Sequence, residues 1–232
     1  MLRDTYKPNI CLEAEENIDI NDIELDAPVD NLHTRPLVFF DLETGGFGRT
    51  SDILQIAAKC QEKELSVYAL PTRSISKEAS EATCLTFDGN SLCYKGEAVA
   101  AVTPPEALTK FLIFLESFDH PVLVGHNIQN FDLPILRHHL GDCDLLERFR
   151  NNVTGFLDTL KISKKLLKDV QLPNYKQETL VHNLLGEEYE AHNAMADVTA
   201  LEKLYYSNLC LSESAVSENV FYLSYYTYKE SL

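Results

Sequence analysis

The chain has 232 residues, 45% of them hydrophobic and 24% charged, the composition of an ordinary folded protein with a substantial core. Its formal net charge of −16 argues against a passive nucleic-acid binder, which presents a basic face, but not against an enzyme that gathers divalent cations on carboxylates. No apolar run approaches the ~20 residues of a membrane span, the N-terminus lacks an apolar signal core, and the six cysteines include no CxxC pair, so an intracellular protein (cytoplasmic or nuclear) with reduced thiols and no membrane partner is expected.

Residues 1–34 read as an acidic, flexible leader: the first thirty hold nine acids against Arg3 and Lys7. Arg35-Pro36 introduces a strand over residues 37–44, LVFFDLET, in which four apolar residues run into two carboxylates. Gly45, Gly46 and Gly48 make the turn that follows. Residues 52–61 and 64–70 read as two more strands, with a link short enough to predict antiparallel hairpins. The long connection over 71–102 is expected to carry short helices near 76–84 and 91–95. Pro104-Pro105 opens a helix with Leu108, Phe111, Leu112 and Leu115 at helical spacing. Residues 121–127, PVLVGHN, read as a fourth strand and lead to a helix over 131–140 with Asp132 at its start. A fifth strand is expected over 153–158 and a basic amphipathic helix over 159–168. A short helix over 178–185 ends at Gly186, and the last core helix spans 193–208. The sum is an α/β fold, a mixed five-stranded sheet flanked by helices. Its main domain is expected over 35–210, followed by a tyrosine-rich arm over 211–232 that packs back or supplies a homodimer contact.

Alternate residues of a strand share a face, so Asp41 and Glu43 point the same way. Two like charges beside an apolar run resist desolvation, and a hard divalent cation resolves that cost. Asp132 follows the strand ending GHN, and Asp197 lies on the last helix, five residues after His192. Four carboxylates suit two Mg2+ or Mn2+ ions ~3.5–4 Å apart, one activating a water and the other stabilising a leaving 3′ oxygen. His192, with an ordinary pKa of ~6.5, is the natural proton acceptor for that water. Taken singly, Asp41 and Glu43 read as a solvated strand end, Asp132 as a helix cap, His192 as a surface histidine and Asp197 as a solvated helix residue. The joint pattern favours a phosphodiester-cleaving metal site.

Other residues allow two readings each. His126 and Asn127 orient their loop by hydrogen bonds or touch substrate. Tyr175 and Phe47 stack on a base or pack in the core. Lys161, Lys164, Lys165 and Lys168 bind phosphates or form an exposed face. His138 and His139 diverge on a helix, so the solvated reading outweighs a metal pair.

DLETGG, GHNIQNFD and HNAMAD resemble, in order, the three motifs of the DEDDh 3′–5′ exonucleases of the ribonuclease-H-like superfamily. The resemblance covers roughly residues 37–209, with weaker echoes in ISKEASEATCLT and in DTL at Asp158. Within the family it is nearest to the three-prime repair exonucleases and to the exonuclease-like domains related to the promyelocytic leukaemia protein. It implies a ribonuclease-H-like fold, metal binding by Asp41, Glu43, Asp132 and Asp197, and His192 as general base. It also implies contacts from Leu42 and Thr44 to the terminal nucleotide. Two departures, Gly45 in place of a second threonine and Cys84 in place of a glycine, leave those five positions untouched. The implied activity is metal-dependent 3′–5′ hydrolysis of a nucleic acid to nucleoside 5′-monophosphates. Single-stranded DNA 3′ ends are favoured, and RNA is kept as the alternative substrate. A non-catalytic scaffold that retains the fold is the competing function.

Overall fold

The structure is a computed structural model that describes residues 32–222. The leader up to residue 31 and the tail beyond 222 lie outside the described residues. Strand β1 (Leu37–Thr44) runs through the middle of the main sheet. Its apolar run is buried on both faces: Val38, Phe40 and Leu42 enter one core cluster and Phe39 the other. The two-residue period of a strand therefore carries Asp41 and Glu43 to the Phe39 side.

Strands β2 (Ile53–Cys60) and β3 (Lys63–Ala69) continue the sheet as an antiparallel meander. Helix α1 (Lys77–Thr83) precedes three short strands, β4 (Leu85–Phe87), β5 (Leu92–Tyr94) and β6 (Glu97–Ala98), which form a separate three-stranded sheet. Strand β7 (Ala101–Val102) returns to the main sheet, parallel to β3. Helix α2 (Pro104–Glu116) then leads to β8 (Val122–Gly125), parallel to β1. Helices α3 (Asp132–Asp142) and α4 (Leu146–Asn152) lead to β9 (Gly155–Asp158), parallel to β8. Helices α5 (Thr159–Leu166), α6 (Gln177–Leu180), α7 (Ala194–Leu204) and α8 (Glu213–Asn219) complete the described chain. The resulting six-stranded mixed sheet has the order β7-β3-β2-β1-β8-β9.

Helices α2, α3 and α4 cover one face, where Phe111, Leu136 and Phe149 pack with Val38, Phe40 and Leu42. Helices α5, α7 and α8 cover the other, where Ile162, Val198, Leu201 and Val216 pack with Phe39 and Val124. Leu32, in a single 3₁₀ turn before β1, is buried in this second cluster, as is Val216 of α8. The packed core thus extends past both ends of 35–210. Beyond α8, Phe221 exchanges backbone hydrogen bonds with Phe156 on the outer edge of β9.

The structure differs from expectation in three places. The main sheet has six strands rather than five, because β7 adds a pair of residues too short to carry a periodic signal. Residues 91–95 contain strand β5 (Leu92–Tyr94), not a helix. Asp88 accepts hydrogen bonds from the backbone N–H groups of Asn90 and Ser91, and Gly89 and Gly96 adopt φ of +95° and +84°, so hairpin turns bracket the segment. Helices α4 and α8 were also not anticipated. One glycine is fixed by close approach: a Cβ on Gly125 would sit 2.2 Å from Ile128 Cγ2 and 3.0 Å from the Phe40 carbonyl oxygen. The chain can leave β8 tightly against β1 only with no side chain there.

Candidate active site

Three elements bring the carboxylates together. Asp41 and Glu43 come from the C-terminal half of β1, opposite Ala57 and Gln55 of β2. Gln55 is buried and accepts a hydrogen bond from the backbone N–H of Ala194 at 3.2 Å, which docks the start of α7 on β2. Asn193 caps α7 by accepting from Ala196 N–H, and Asp197 falls in the first turn, over β1. A ligand oxygen from each of Asp41, Glu43 and Asp197 lies within 4.8 Å of the others. Asp132 enters from the N-terminus of α3, close enough that its charge acts on Asp41. Its Oδ1 is buried without a hydrogen-bond partner.

This crowding shifts the acids upward. Burial, followed by the charges of Asp132, Asp197 and Glu43, raises Asp41 well above the usual carboxylate range. Burial, followed by Asp197 and Asp132, pushes Glu43 up to about 8. Asp132 rises to about 7, chiefly through burial. Asp197 is also raised by burial, with opposing help to its charged form from the Tyr189 hydroxyl and from His192. A group of acids that resists ionisation on its own is one that a multivalent cation stabilises.

His192 lies on the segment leading into α7 and is half exposed, with its Nε2 3.1 Å from Glu178 Oε1. Its φ of +62° is uncommon for a residue with a side chain. Three neighbours of this corner were missed in the sequence. Tyr189 donates its hydroxyl hydrogen bond to Asp197 Oδ1 at 2.7 Å. The Gln177 amide donates to the Tyr189 oxygen at 3.0 Å and to the Asp197 carbonyl at 2.9 Å. Glu178 is the third. The one signal available was their closeness to HNAMAD in the chain, which is not specific.

The remaining candidates fall elsewhere. Leu42 is buried in the α2–α3 cluster, so only its backbone faces the acids. Thr44 donates its hydroxyl to the Gly46 carbonyl at 2.7 Å and fixes the turn after β1. His126 is internal: its Nδ1 meets Thr159 Oγ1 and its Nε2 meets the Tyr175 carbonyl oxygen, both at 2.9 Å, and burial lowers its pKa. Asn127, at φ +63°, donates its N–H to Asp158. Tyr175 packs in the α5–α7 cluster and donates its hydroxyl to the Leu167 carbonyl. Asp158 organises this region, accepting from the N–H groups of Asn127, Gln129 and Leu160. The two histidines of the pair are both partly exposed, and His139 Nε2 lies 2.8 Å from the Ser51 carbonyl oxygen. Phe47 is 62% exposed beside Phe131 in the loop after β1.

The model of the RNase T exonuclease family matches residues 38–205, from the second residue of β1 to the end of α7. The chain belongs to the RNase T exonuclease family. As an exonuclease domain it is similar to human protein PML, 26% identical over 196 residues, a stretch that covers 84% of this chain. The chain spans only 19% of the length of that relative. Its fold matches E. coli Exonuclease I in complex with a dT13 oligonucleotide, with TM-score 0.60 and 18% identity over 75% of this chain and 41% of that one. It also matches the zinc-bound form of an E. coli Exonuclease I–ssDNA complex, with TM-score 0.59 and 18% identity over 74% and 40% of the two chains. The α/β fold is thus the ribonuclease-H-like fold shared with these exonucleases. Divalent metals are general to this exonuclease family, and the site fits them: all four donors are hard carboxylate oxygens, and Asp132 Oδ1 is an orphan that a cation would satisfy. Among the described residues, no helix is long and apolar enough to cross a membrane.

Proposed function

We propose that the protein is a metal-dependent 3′–5′ exonuclease that hydrolyses nucleic acid, with single-stranded DNA ends favoured, to nucleoside 5′-monophosphates. The observation that carries this reading is the convergence of Asp41, Glu43 and Asp197 within 4.8 Å, next to the partnerless oxygen of Asp132. The four carboxylates would hold two Mg2+ or Mn2+ ions. Such ions supply a water ionised near neutral pH and charge stabilisation at the phosphoryl group.

The chain's own residues do the rest. His192 accepts the proton of the attacking water. With Nε2 engaged by Glu178, its Nδ1 is the nitrogen left for that task. The Gly45-Gly46 turn, braced by Thr44, makes room for the last nucleotide, which meets the backbone of Leu42 and Thr44. Phe47 offers an exposed ring on which a base can stack. Lys161, Lys164 and Lys165 lie on the exposed side of α5 and offer charge to the phosphates farther from the end. His126 and Tyr175 shape the neighbouring wall from inside, while Asn127, partly exposed just after β8, keeps a side chain that can reach the substrate.

We place the body of the exonuclease domain at 35–210, with Leu32 of the acidic leader (1–34) and Val216 of the tyrosine-rich arm (211–232) packing onto it, and the protein inside the cell, in cytoplasm or nucleus. A homodimer through the arm is part of the same reading.

The test is digestion of 3′- and 5′-labelled ssDNA, dsDNA and ssRNA with Mg2+, Mn2+ and EDTA. Loss of single nucleotides from the 3′ end, abolished by EDTA and by Asp197→Ala, is expected. Preferential loss of the RNA would make it an exoribonuclease. A folded protein that binds neither Mn2+ nor a 3′ end would be a scaffold.

A further inference from the structure

The small three-stranded sheet contributes no residue to the carboxylate cluster, yet it contacts an exposed segment beside the site. Strand β5 ends at Tyr94, and Lys95 follows it into the turn. The Tyr94 hydroxyl donates to Glu190 Oε1 at 2.7 Å, and the Lys95 ammonium pairs with the same oxygen. Glu190 lies 96 residues along the chain from Tyr94, between Tyr189 and His192.

Residues 187–193 contain no helix or strand, so no ladder of backbone bonds holds them. Side chains do so instead. Glu187 pairs with Lys203 of α7, and Tyr189 donates to Asp197. Glu190 is gripped by Tyr94 and Lys95, and His192 meets Glu178. Asn193 caps α7 by accepting from the Ala196 N–H. Within this strap His192 holds φ +62°, a conformation that persists only where the surroundings impose it. Exposed ion pairs add little to folding stability. The Lys95–Glu190 pair, with both side chains about half exposed, therefore matters for what it positions.

We propose that Tyr94, Lys95 and Glu190 form a clasp by which the small sheet positions His192 over the carboxylates, with Glu178 setting the direction of its ring. The inference rests on the reading of His192 as the proton acceptor. Tyr94, Lys95, Glu190 and Glu178 are positioning residues and touch neither the reacting phosphate nor its water. A base displaced by about 1 Å loses up to ~10²-fold in rate, so a loosened clasp acts on turnover, while the carboxylates and the nucleotide pocket stay intact.

The experiment combines kinetics with amide hydrogen exchange on the full chain. Glu190→Ala is expected to lower kcat about tenfold or more, with KM for a labelled oligonucleotide and Mn2+ affinity both within about twofold. Exchange of residues 187–193 is expected to rise while that of β1 is unchanged, which separates a loosened strap from a misfolded protein. The charge swap Lys95→Glu with Glu190→Lys is expected to recover most of both effects relative to either single substitution. Unchanged exchange in Glu190→Ala would overturn the clasp. Raised exchange with unchanged kcat would overturn its link to His192. If the wild-type protein degrades no oligonucleotide with Mn2+, the exonuclease reading falls with the catalytic half of the inference, and exchange alone decides whether the clasp orders the strap.

Discussion

The phenolic oxygen of Tyr189 lies 2.7 Å from Oδ1 of Asp197, and the Gln177 amide lies 3.3 Å from that same carboxylate oxygen. With these donors on Oδ1, the carboxylate is held in one orientation, and its charged form is favoured against the burial that raises its pKa. Tyr189→Phe removes the stronger donor and little else. Mn2+ affinity is expected to fall about tenfold, as when the partners of metal-binding side chains are removed, and titration of the Mn2+ electron paramagnetic resonance signal measures it. Tighter binding in the variant would mean that the hydroxyl competes with the metal instead.

Neutralising one acid has opposite consequences for stability and activity. Asp41 is raised by burial and by three neighbouring carboxylates, so Asp41→Asn relieves repulsion in the metal-free protein. Its thermal midpoint at pH 8 is expected to rise above wild type, while Mn2+-supported digestion drops by at least ~10²-fold. A lower midpoint would show that Asp41 is structurally required in its charged form.

The same acids set a pH dependence. Glu43 at about 8 and Asp132 at about 7 stand above their unfolded values of roughly 4.3 and 3.9. Raised folded pKa values mean that the native state binds protons the unfolded chain has released. Their contribution to stability is fully present below about pH 4 and is lost as pH rises through 7 to 8. Metal-free wild type is thus expected to lose stability between pH 5 and 8 relative to Glu43→Gln, read as urea midpoints across that range. Added Mn2+ should reverse the trend, since cations compete with protons for the same oxygens and win at higher pH.

Much of this was legible in the chain and some was not, for a physical reason. The metal-site acids announce themselves because DLET is a buried strand interrupted by charge at period two, and because HNAMAD combines a capping asparagine with an acid in the first turn. Both signals are local. Tyr189, Glu178 and the Tyr94–Glu190 contact are tertiary: each joins residues whose neighbours in sequence show no matching pattern. Strand β5 escaped detection because an apolar run of three residues, Leu92-Cys93-Tyr94, is too short to separate the two periods.

Asp158 stands out little in the sequence, yet three backbone N–H groups converge on its buried carboxylate. Asp158→Ala would leave those donors without partners at the foot of the loop that delivers Asp132. A loss of about 3 kcal/mol in urea unfolding is expected, with slope unchanged. A loss below about 1 kcal/mol would mean that water replaces the carboxylate.

The lysines of α5 predict a salt effect. Replacing Lys161, Lys164 and Lys165 by glutamine is expected to raise KM for oligonucleotides of twenty or more residues and to flatten the log–log salt slope by roughly 0.7 for each phosphate no longer neutralised. kcat and the hydrolysis of a dinucleotide are expected to stay as in wild type. An unaltered salt slope would mark the ridge as solvated surface.

The two margins of the main sheet carry a final consequence. On one side the sheet ends in β7, two residues long, and on the other Phe221 exchanges backbone hydrogen bonds with Phe156 on the outer strand. Strand β7 pairs only with Tyr68 and Ala69, so among the described residues the outer edge of β3 from Lys63 to Val67 has no strand beside it, and the exposed charges of Lys63 and Glu64 stand at the start of that open stretch. Charge on that stretch, rather than closure of the sheet, is therefore what discourages copies of the folded chain from pairing edge to edge.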